Sequence, residues 1–273
     1  MPHGLEFKAL QLFSKVAGRL PWGAGHYRIA SRYAGRQRWG IGSYADQRMR
    51  SGALLRLDLG DRIQSIAFLV RDYSPALTRY IVSRLPHGGT FFDVGGNVGL
   101  IAFSVANLRS DVAVHAFEPN PNNVEAWRHN RQLNHASGAA LIQVAASDRV
   151  GRAKFTVPSD SGSGTICSGG NHTVPTITLD AYCKEHAIEH IDVLKIDVEG
   201  HEPSVLRGAS GLLKAGAVST ILCEVLNVTG DDRHSIHEML RRHGYEAAPL
   251  PPVGMRRLIP GSRGSADDVA FER

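Results

Sequence analysis

Six acidic side chains, Asp93, Glu118, Asp148, Asp197, Glu199 and Glu224, follow short apolar runs in the 273-residue sequence. A carboxylate at such a place can hold a ligand's hydroxyls or cationic groups, or take up a proton from a nucleophile. The densest stretch is "LKIDVEGHE", in which Lys195, Asp197, Glu199 and His201 alternate with apolar residues and Gly200. Strand alternation puts Lys195, Asp197 and Glu199 on one side and Ile196 and Val198 on the other. Such charges are costly in a buried strand unless they pair or face a cleft. For a reaction that takes a proton from an acceptor, the candidate bases are Asp197 first, then Glu199 and His201. Lys195 would orient the acceptor or lower a neighbour's pKa. A histidine at position 201 titrates nearest neutrality, but it also falls at a helix start, where it is as often a surface residue.

The second stretch is "FFDVGGNVGL", residues 91–100. Its order, D-x-G-G-N-x-G, departs from the G-x-G-x-x-G that brings a pyrophosphate onto a helix N-terminus, since Asn97 stands where the second glycine would be. Asp93 would repel a diphosphate and attract an ammonium group. Glu118, placed after the next strand-like run, is suited to accept hydrogen bonds from ribose hydroxyls. A ribose joined to a cationic amino acid describes S-adenosylmethionine. Asp197, Glu199, His201 and Glu224 could also ligate a hard cation, but they follow no recognised ligand spacing, and no metal is expected.

The elements that must position these residues alternate in type. "TFFDV", "VAVHAFEP", "ALIQVAAS", "IDVLKIDV" and "VSTILCEV" read as strands, separated by helices over about 98–108, 122–133 and 202–213. This is the order of βαβ units and a mainly parallel twisted sheet with helices on both faces, whose ligand sits beyond the carboxyl ends of the strands. Ser74 and Pro75 start a helix that runs to Leu85. Before it, "ALLRLDLGD" and "RIQSIAFLV" flank Gly60-Asp61 as two strands of a hairpin. The Gly- and Ser-rich segment from Pro158 to Pro175 reads as a loop or hairpin tip facing the acceptor, and "DVAFER" as a last edge strand. Arg256, Arg257 and Arg263 fall on the loop before that strand.

The charge of +5 is unevenly placed: residues 1–50 carry nine Lys and Arg against two acids, +7, which leaves −2 for the remainder. "LEFKALQLFSKVAGRL" spaces Leu5, Ala9, Leu12, Phe13, Val16 and Leu20 as one apolar face of a helix, with Lys8, Lys15 and Arg19 mostly elsewhere. Such a basic helix suits a peripheral contact with an anionic membrane, a polyanionic substrate, or an arm docked on its own domain or on a second subunit of a homodimer. Tyr27, Tyr33 and Trp39 lie among the arginines, but no recognisable nucleic-acid module accompanies them, so nucleic acid is not an expected partner. Residues 1–52 are therefore set apart as a basic helical extension, and 53–273 as the main domain. Cys167, Cys183 and Cys223 form no C-x-x-C pair, and no apolar run reaches membrane-spanning length, which points to a reducing cytoplasm.

Taken together, "FFDVGGNVGL", "AFEPNPNNVEAWRHNRQLN", "AASDRVG", "TITLDAYC", "IDVLKIDVEGHEPSVLRGA" and "ILCEV" resemble the FkbM-type S-adenosylmethionine-dependent methyltransferases over about Tyr73 to Val228. The family commonly has alanine where this chain has Gly96. The resemblance implies a Rossmann-like class I methyltransferase fold. In it Asp93, Gly95, Gly96, Asn97 and Gly99 form the turn around the methionine part, Glu118 with Pro119 and Asn120 holds the ribose, and Asp148 meets the adenine amino group with Ala146 and Ser147 shaping that wall. Asp197 would touch both cofactor and acceptor. The implied reaction is O-methylation of a hydroxyl-bearing small molecule, sugar or glycan. N-methylation of an amine or nucleobase, and a non-catalytic nucleoside-binding module, stand beside it.

Overall fold

The computed structural model of the protein describes residues 5–17, 30, 32, 39–134, 138–157, 164–225, 230–249 and 267–273. The first element, helix α1 (Leu5–Ala17), is followed by an antiparallel pair, β1 (Tyr44–Arg48) and β2 (Leu54–Asp58). Because β1 lies before residue 52 and pairs with β2, a division there would cut through a hairpin.

The run "RIQSIAFLV" is helix α2 (Arg62–Val70), not the second strand expected from the sequence. Asp61 decides this locally. Its carboxylate accepts from the Gln64 amide at 2.8 Å, which caps the helix, and Arg71 ends it in the left-handed region at φ 59°. Gln64 and Ser65 are buried along with the apolar residues, so no polar face betrays the helical period. Helix α3 (Pro75–Arg84) follows, with Pro75 in its first turn.

The main sheet uses β3 (Thr90–Val94), β4 (Ala113–Phe117), β5 (Ala139–Ile142), β10 (Ile191–Ile196), β11 (Val218–Val225), β12 (Glu246–Ala248) and β13 (Asp267–Glu272). Their order is β12-β13-β11-β10-β3-β4-β5. The pairs joining β11, β10, β3, β4 and β5 are parallel, whereas β13 runs antiparallel between β11 and β12. The final strand is thus interior and β12 is the edge, contrary to the expectation for "DVAFER". Arg256, Arg257 and Arg263 lie outside the described residues.

Helices cover both faces, so the parallel strands are mainly apolar, with Asp93 and Lys195 as buried exceptions. Phe91 and Phe92 illustrate the alternation: both are fully buried, Phe91 in one core and Phe92 in the other. The first core takes in the hairpin, α2, α3, α4 (Leu100–Leu108) and α5 (Pro121–Asn134). The second takes in α6 (Leu179–Glu185), α7 (Glu202–Arg207), α8 (Ser210–Ala215) and α9 (Gly230–Arg242). The single helix expected over 202–213 is therefore two, broken at Gly208-Ala209. A Cβ at Gly208 would lie 1.9 Å from the Ser147 carbonyl oxygen, so the break passes hard against that backbone.

"ALIQVAAS" also splits. After β5, β6 (Ala145–Ala146) joins β7 (Gly151–Thr156), β8 (Thr165–Ile166) and β9 (His172–Ile177) in a second sheet of order β6-β9-β7-β8. Phe155 and Val174 fill its small core with Ala145. Two asparagines of α5 attach the β1–β2 hairpin to the domain. Asn134 exchanges side-chain hydrogen bonds with the Leu54 amide and carbonyl, each at 2.8 Å, and Asn130 accepts from the Arg56 amide at 2.7 Å while donating to the Val98 carbonyl.

Candidate active site

The strand order reverses direction at β3, whose neighbours are β4 and β10. A crevice at such a switch point, beyond the carboxyl ends of the strands, is the place for a ligand. The chain leaves β3 through Gly95 (φ +82°), Gly96, Asn97 (φ +49°) and Gly99 (φ +90°). The Gly95 and Gly96 amides both donate to the Phe117 carbonyl at 3.0 Å, which folds the turn over the end of β4. Gly95 has no room for a side chain, because its Cβ would lie 1.9 Å from the Asp197 carbonyl oxygen.

Glu118, 5% exposed, stitches this turn from the other side. Its two oxygens accept from the Asn97 and Asn120 amides, each at 2.8 Å. Burial nevertheless pushes its carboxyl up to about 7, against the pull of those amides.

Lys195 and Asp93 face each other across β10 and β3 in register. Lys195 Nζ donates to Asp93 Oδ1 at 3.0 Å and lies 3.5 Å from Asp197 Oδ2. Burial alone would depress the ammonium, but Asp93 and Asp197 together hold it above its ordinary value. Burial likewise raises Asp93 above its ordinary value, while the Lys195 ammonium at hydrogen-bonding distance draws it back. Tyr73 also lies near enough to influence Lys195.

Past β10 the backbone turns sharply, with Glu199 at φ 54° and Gly200 at φ 95°. Glu202 Oε1 holds the turn from within by accepting from the Val198 amide at 3.0 Å and the Gly200 amide at 3.2 Å. Thr165 of β8 holds it from above by donating to the Glu199 carbonyl at 3.0 Å. Since the strand ends at Ile196, Glu199 does not continue the alternation expected from the sequence. His201 Nε2 lies 2.9 Å from Ser147 Oγ, and burial lowers its pKa.

These elements enclose about 890 Å³ including the open mouth. Asp93, Gly95, Gly96, Asn97, Glu118, Pro119, Asn120, Lys195, Asp197, Glu199 and His201 all line the cavity. Gly99, Ser147 and Asp148 do not. Gly99 packs behind it, where a Cβ would strike the Phe103 ring at 2.3 Å. Ser147 is turned to His201, and Asp148 points to Arg149 and Arg207 at 3.7 and 3.6 Å. Ala145 and Ala146 supply the cavity wall at that end.

The sequence reading missed Ile63, Tyr73 and Phe155, which line the cavity, and Glu202, which fixes the turn. Only Glu202 had a signal, an acid in the first helical turn. Thr165 and Ile166 line the cavity from within the segment expected to face the acceptor, of which residues 158–163 lie outside the described part.

The lining carries four carboxylates (Asp93, Glu118, Asp197 and Glu199) against one ammonium, and no arginine among the described residues. This balance favours a cationic ligand over a phosphate. Asp197, Glu199 and Glu224 bring one oxygen each within 4.8 Å of one another, whereas His201 stands outside that group.

A parallel sheet with one reversed strand near its end, opening on an acid-lined crevice, defines a Rossmann-like class I methyltransferase. Residues 93–247 match the methyltransferase FkbM domain, and the chain belongs to that family. It is 30% identical to the 2-O-methyltransferase NoeI of Sinorhizobium fredii over 182 residues, 58% of this chain and 74% of that protein. Against the 31-O-demethyl-FK506 methyltransferase FkbM of Streptomyces tacrolimicus it is 27% identical, over 58% of this chain and 73% of the relative. The hexuronic acid methyltransferase AglP of Haloferax volcanii is 27% identical over 54% of this chain, which spans 60% of that relative. Among solved structures, a putative methyltransferase from Streptococcus mutans in complex with SAH aligns at 10% identity and TM-score 0.47, covering 72% of this chain and 94% of that one.

Proposed function

We propose that this methyltransferase moves the methyl group of S-adenosylmethionine to a hydroxyl of a sugar, a glycan or another small molecule. The observation that carries the reading is the Asp93–Lys195–Asp197 row beside a glycine turn too tight for any side chain at position 95. Two carboxyl groups to one ammonium in that row suit a sulfonium. The cradle formed by Gly95, Gly96 and Asn97 would take the methionine part, and Glu118 the ribose hydroxyls.

When bound, the cofactor supplies an electrophilic methyl group for in-line displacement. The chain's own task is to align the acceptor and receive its proton. Asp197 would do this: it lines the cavity, its side chain is 26% exposed, and its Oδ2 lies 3.5 Å from the Lys195 ammonium. His201 is held at Ser147, and this favours the carboxylate over the imidazole as base. The named relatives support oxygen as the accepting atom, since two of them are O-methyltransferases.

No helix among the described residues is long and apolar enough to cross a membrane. Cys167, Cys183 and Cys223 are free thiols, which supports a cytoplasmic location.

Calorimetry with S-adenosylhomocysteine, then turnover on a panel of sugars and glycans, tests the proposal. Asp197→Asn should lose about 10² to 10⁴ in rate while S-adenosylhomocysteine, which carries no sulfonium charge, still binds. Full activity in that variant would remove Asp197 as the base, and binding without turnover on any acceptor would leave a nucleoside-binding module.

A further inference from the structure

Helix α1 presents apolar residues on two opposite faces. Phe7, Leu10 and Ser14 point inward: Phe7 lies 6.3 Å from the Phe68 ring, Leu10 is buried, and Ser14 Oγ donates to the Phe68 carbonyl. The docking face is therefore not the apolar face expected from the sequence. That face looks outward, with Leu12 64%, Phe13 39% and Val16 52% exposed. At 100° per residue these three share one sector of the helix. Lys8 and Lys15 are exposed along one margin of it, and residues 1–50 as a whole carry the +7 already noted.

A helix face meant for water carries polar groups. Exposed apolar residues with lysines at the margin instead match a helix lying in the plane of a bilayer surface. We infer that α1 seats the protein on an anionic lipid surface, with Leu12, Phe13 and Val16 at the boundary of headgroups and acyl chains and Lys8 and Lys15 against lipid phosphates. A second copy of the chain fits less well. Three side chains on one helix bury far less than the roughly 800 Å² per partner of a stable interface, and a like-charged copy leaves the lysines unmatched. Helix α1 rests on α2, whose Ile63 lines the cavity, so the lipid would lie one helix away from the site. This seating holds whether or not the cavity transfers a methyl group.

The full chain floated with vesicles of phosphatidylcholine containing about a third phosphatidylglycerol, and with phosphatidylcholine alone, tests the inference. Binding should occur on the anionic vesicles and fall as salt is raised. The variant Leu12→Ser/Phe13→Ser/Val16→Ser should bind at least about tenfold more weakly, because each side chain gives up its apolar transfer. Lys8→Gln/Lys15→Gln should lose about fivefold per charge. Calorimetric affinity for S-adenosylhomocysteine should stay unchanged in both, which also shows that they fold. No flotation with anionic vesicles, or equal flotation of all variants on both lipids, overturns the inference. So does a two-chain mass by light scattering that drops to one chain in the serine variant without any vesicle binding.

Discussion

Lys195 stands directly opposite Asp93 on adjacent parallel strands, and its ammonium donates to that carboxylate at 3.0 Å. Asp93 is 1% exposed and Lys195 6%, so each is the other's substitute for water.

Removing one partner should be worse than removing both. Lys195→Met leaves a buried carboxylate uncompensated and should destabilise the protein by about 3–5 kcal/mol in urea unfolding. Asp93→Asn added to it should restore part of that loss. A double variant less stable than Lys195→Met would show that the pair is not coupled in this way.

Two neighbouring glycines should respond differently to alanine. At Gly95 the added Cβ meets backbone at 1.9 Å with φ at +82°, so Gly95→Ala should abolish cofactor binding or weaken it more than about tenfold. At Gly96 the nearest atom is the Ala116 Cβ at 3.1 Å, and φ is not in the left-handed region. Gly96→Ala should bind within a few-fold of the parent, with stability changed by less than about 1 kcal/mol. Equal effects in a calorimetric comparison would contradict this placement of the turn.

Glu118 should make stability depend on pH. Its carboxyl sits at about 7 in the folded protein against 4.5 ordinarily, so the unfolded chain gives up its proton first. Stability is therefore fully present below 4.5 and falls as pH rises towards about 7, by roughly 3 kcal/mol. Urea unfolding of the ligand-free protein and of Glu118→Gln between pH 5 and 8 should show the difference between them shifting in that window. Ribose hydroxyls donating to the ionised carboxylate would lower its pKa, so S-adenosylhomocysteine binding near pH 7 should release a proton. Calorimetry in buffers of different ionisation enthalpy measures that release; proton uptake would place the ribose elsewhere.

The acidic trio of Asp197, Glu199 and Glu224 gives a fourth expectation. Displacement at a sulfonium methyl requires no Lewis acid, so turnover should stay within about twofold in excess EDTA. Loss restored by magnesium or calcium would assign the trio to a cation.

The strand-end acids and the glycine turn were legible because parallel strands are short, continuous apolar runs with their chemistry just past the end. Helix α2 was not, since burial on nearly every side erased its period and left the Asp61 cap as its only mark. The placement of β13 between β11 and β12 depends on pairing between distant segments, which no local pattern encodes. Of the wall expected from Ala146, Ser147 and Asp148, Ala146 lines the cavity with Ala145, whereas Ser147 and Asp148 turn to His201 and the arginines, because β6 breaks away from β5 into the second sheet. On α1 the periodicity identified an apolar face correctly, but the helix docks through Phe7, Leu10 and Ser14 instead.

The asparagines of α5 bear on a hazard common to small sheets. Strand β2 has β1 on one side only, and on the other its Leu54 amide and carbonyl and its Arg56 amide would be available to any passing extended chain. Asn134 and Asn130 occupy those groups from within the same molecule. Paired within the molecule, those groups are not offered to a neighbouring chain, so two amide side chains on a helix close that stretch of the hairpin's edge.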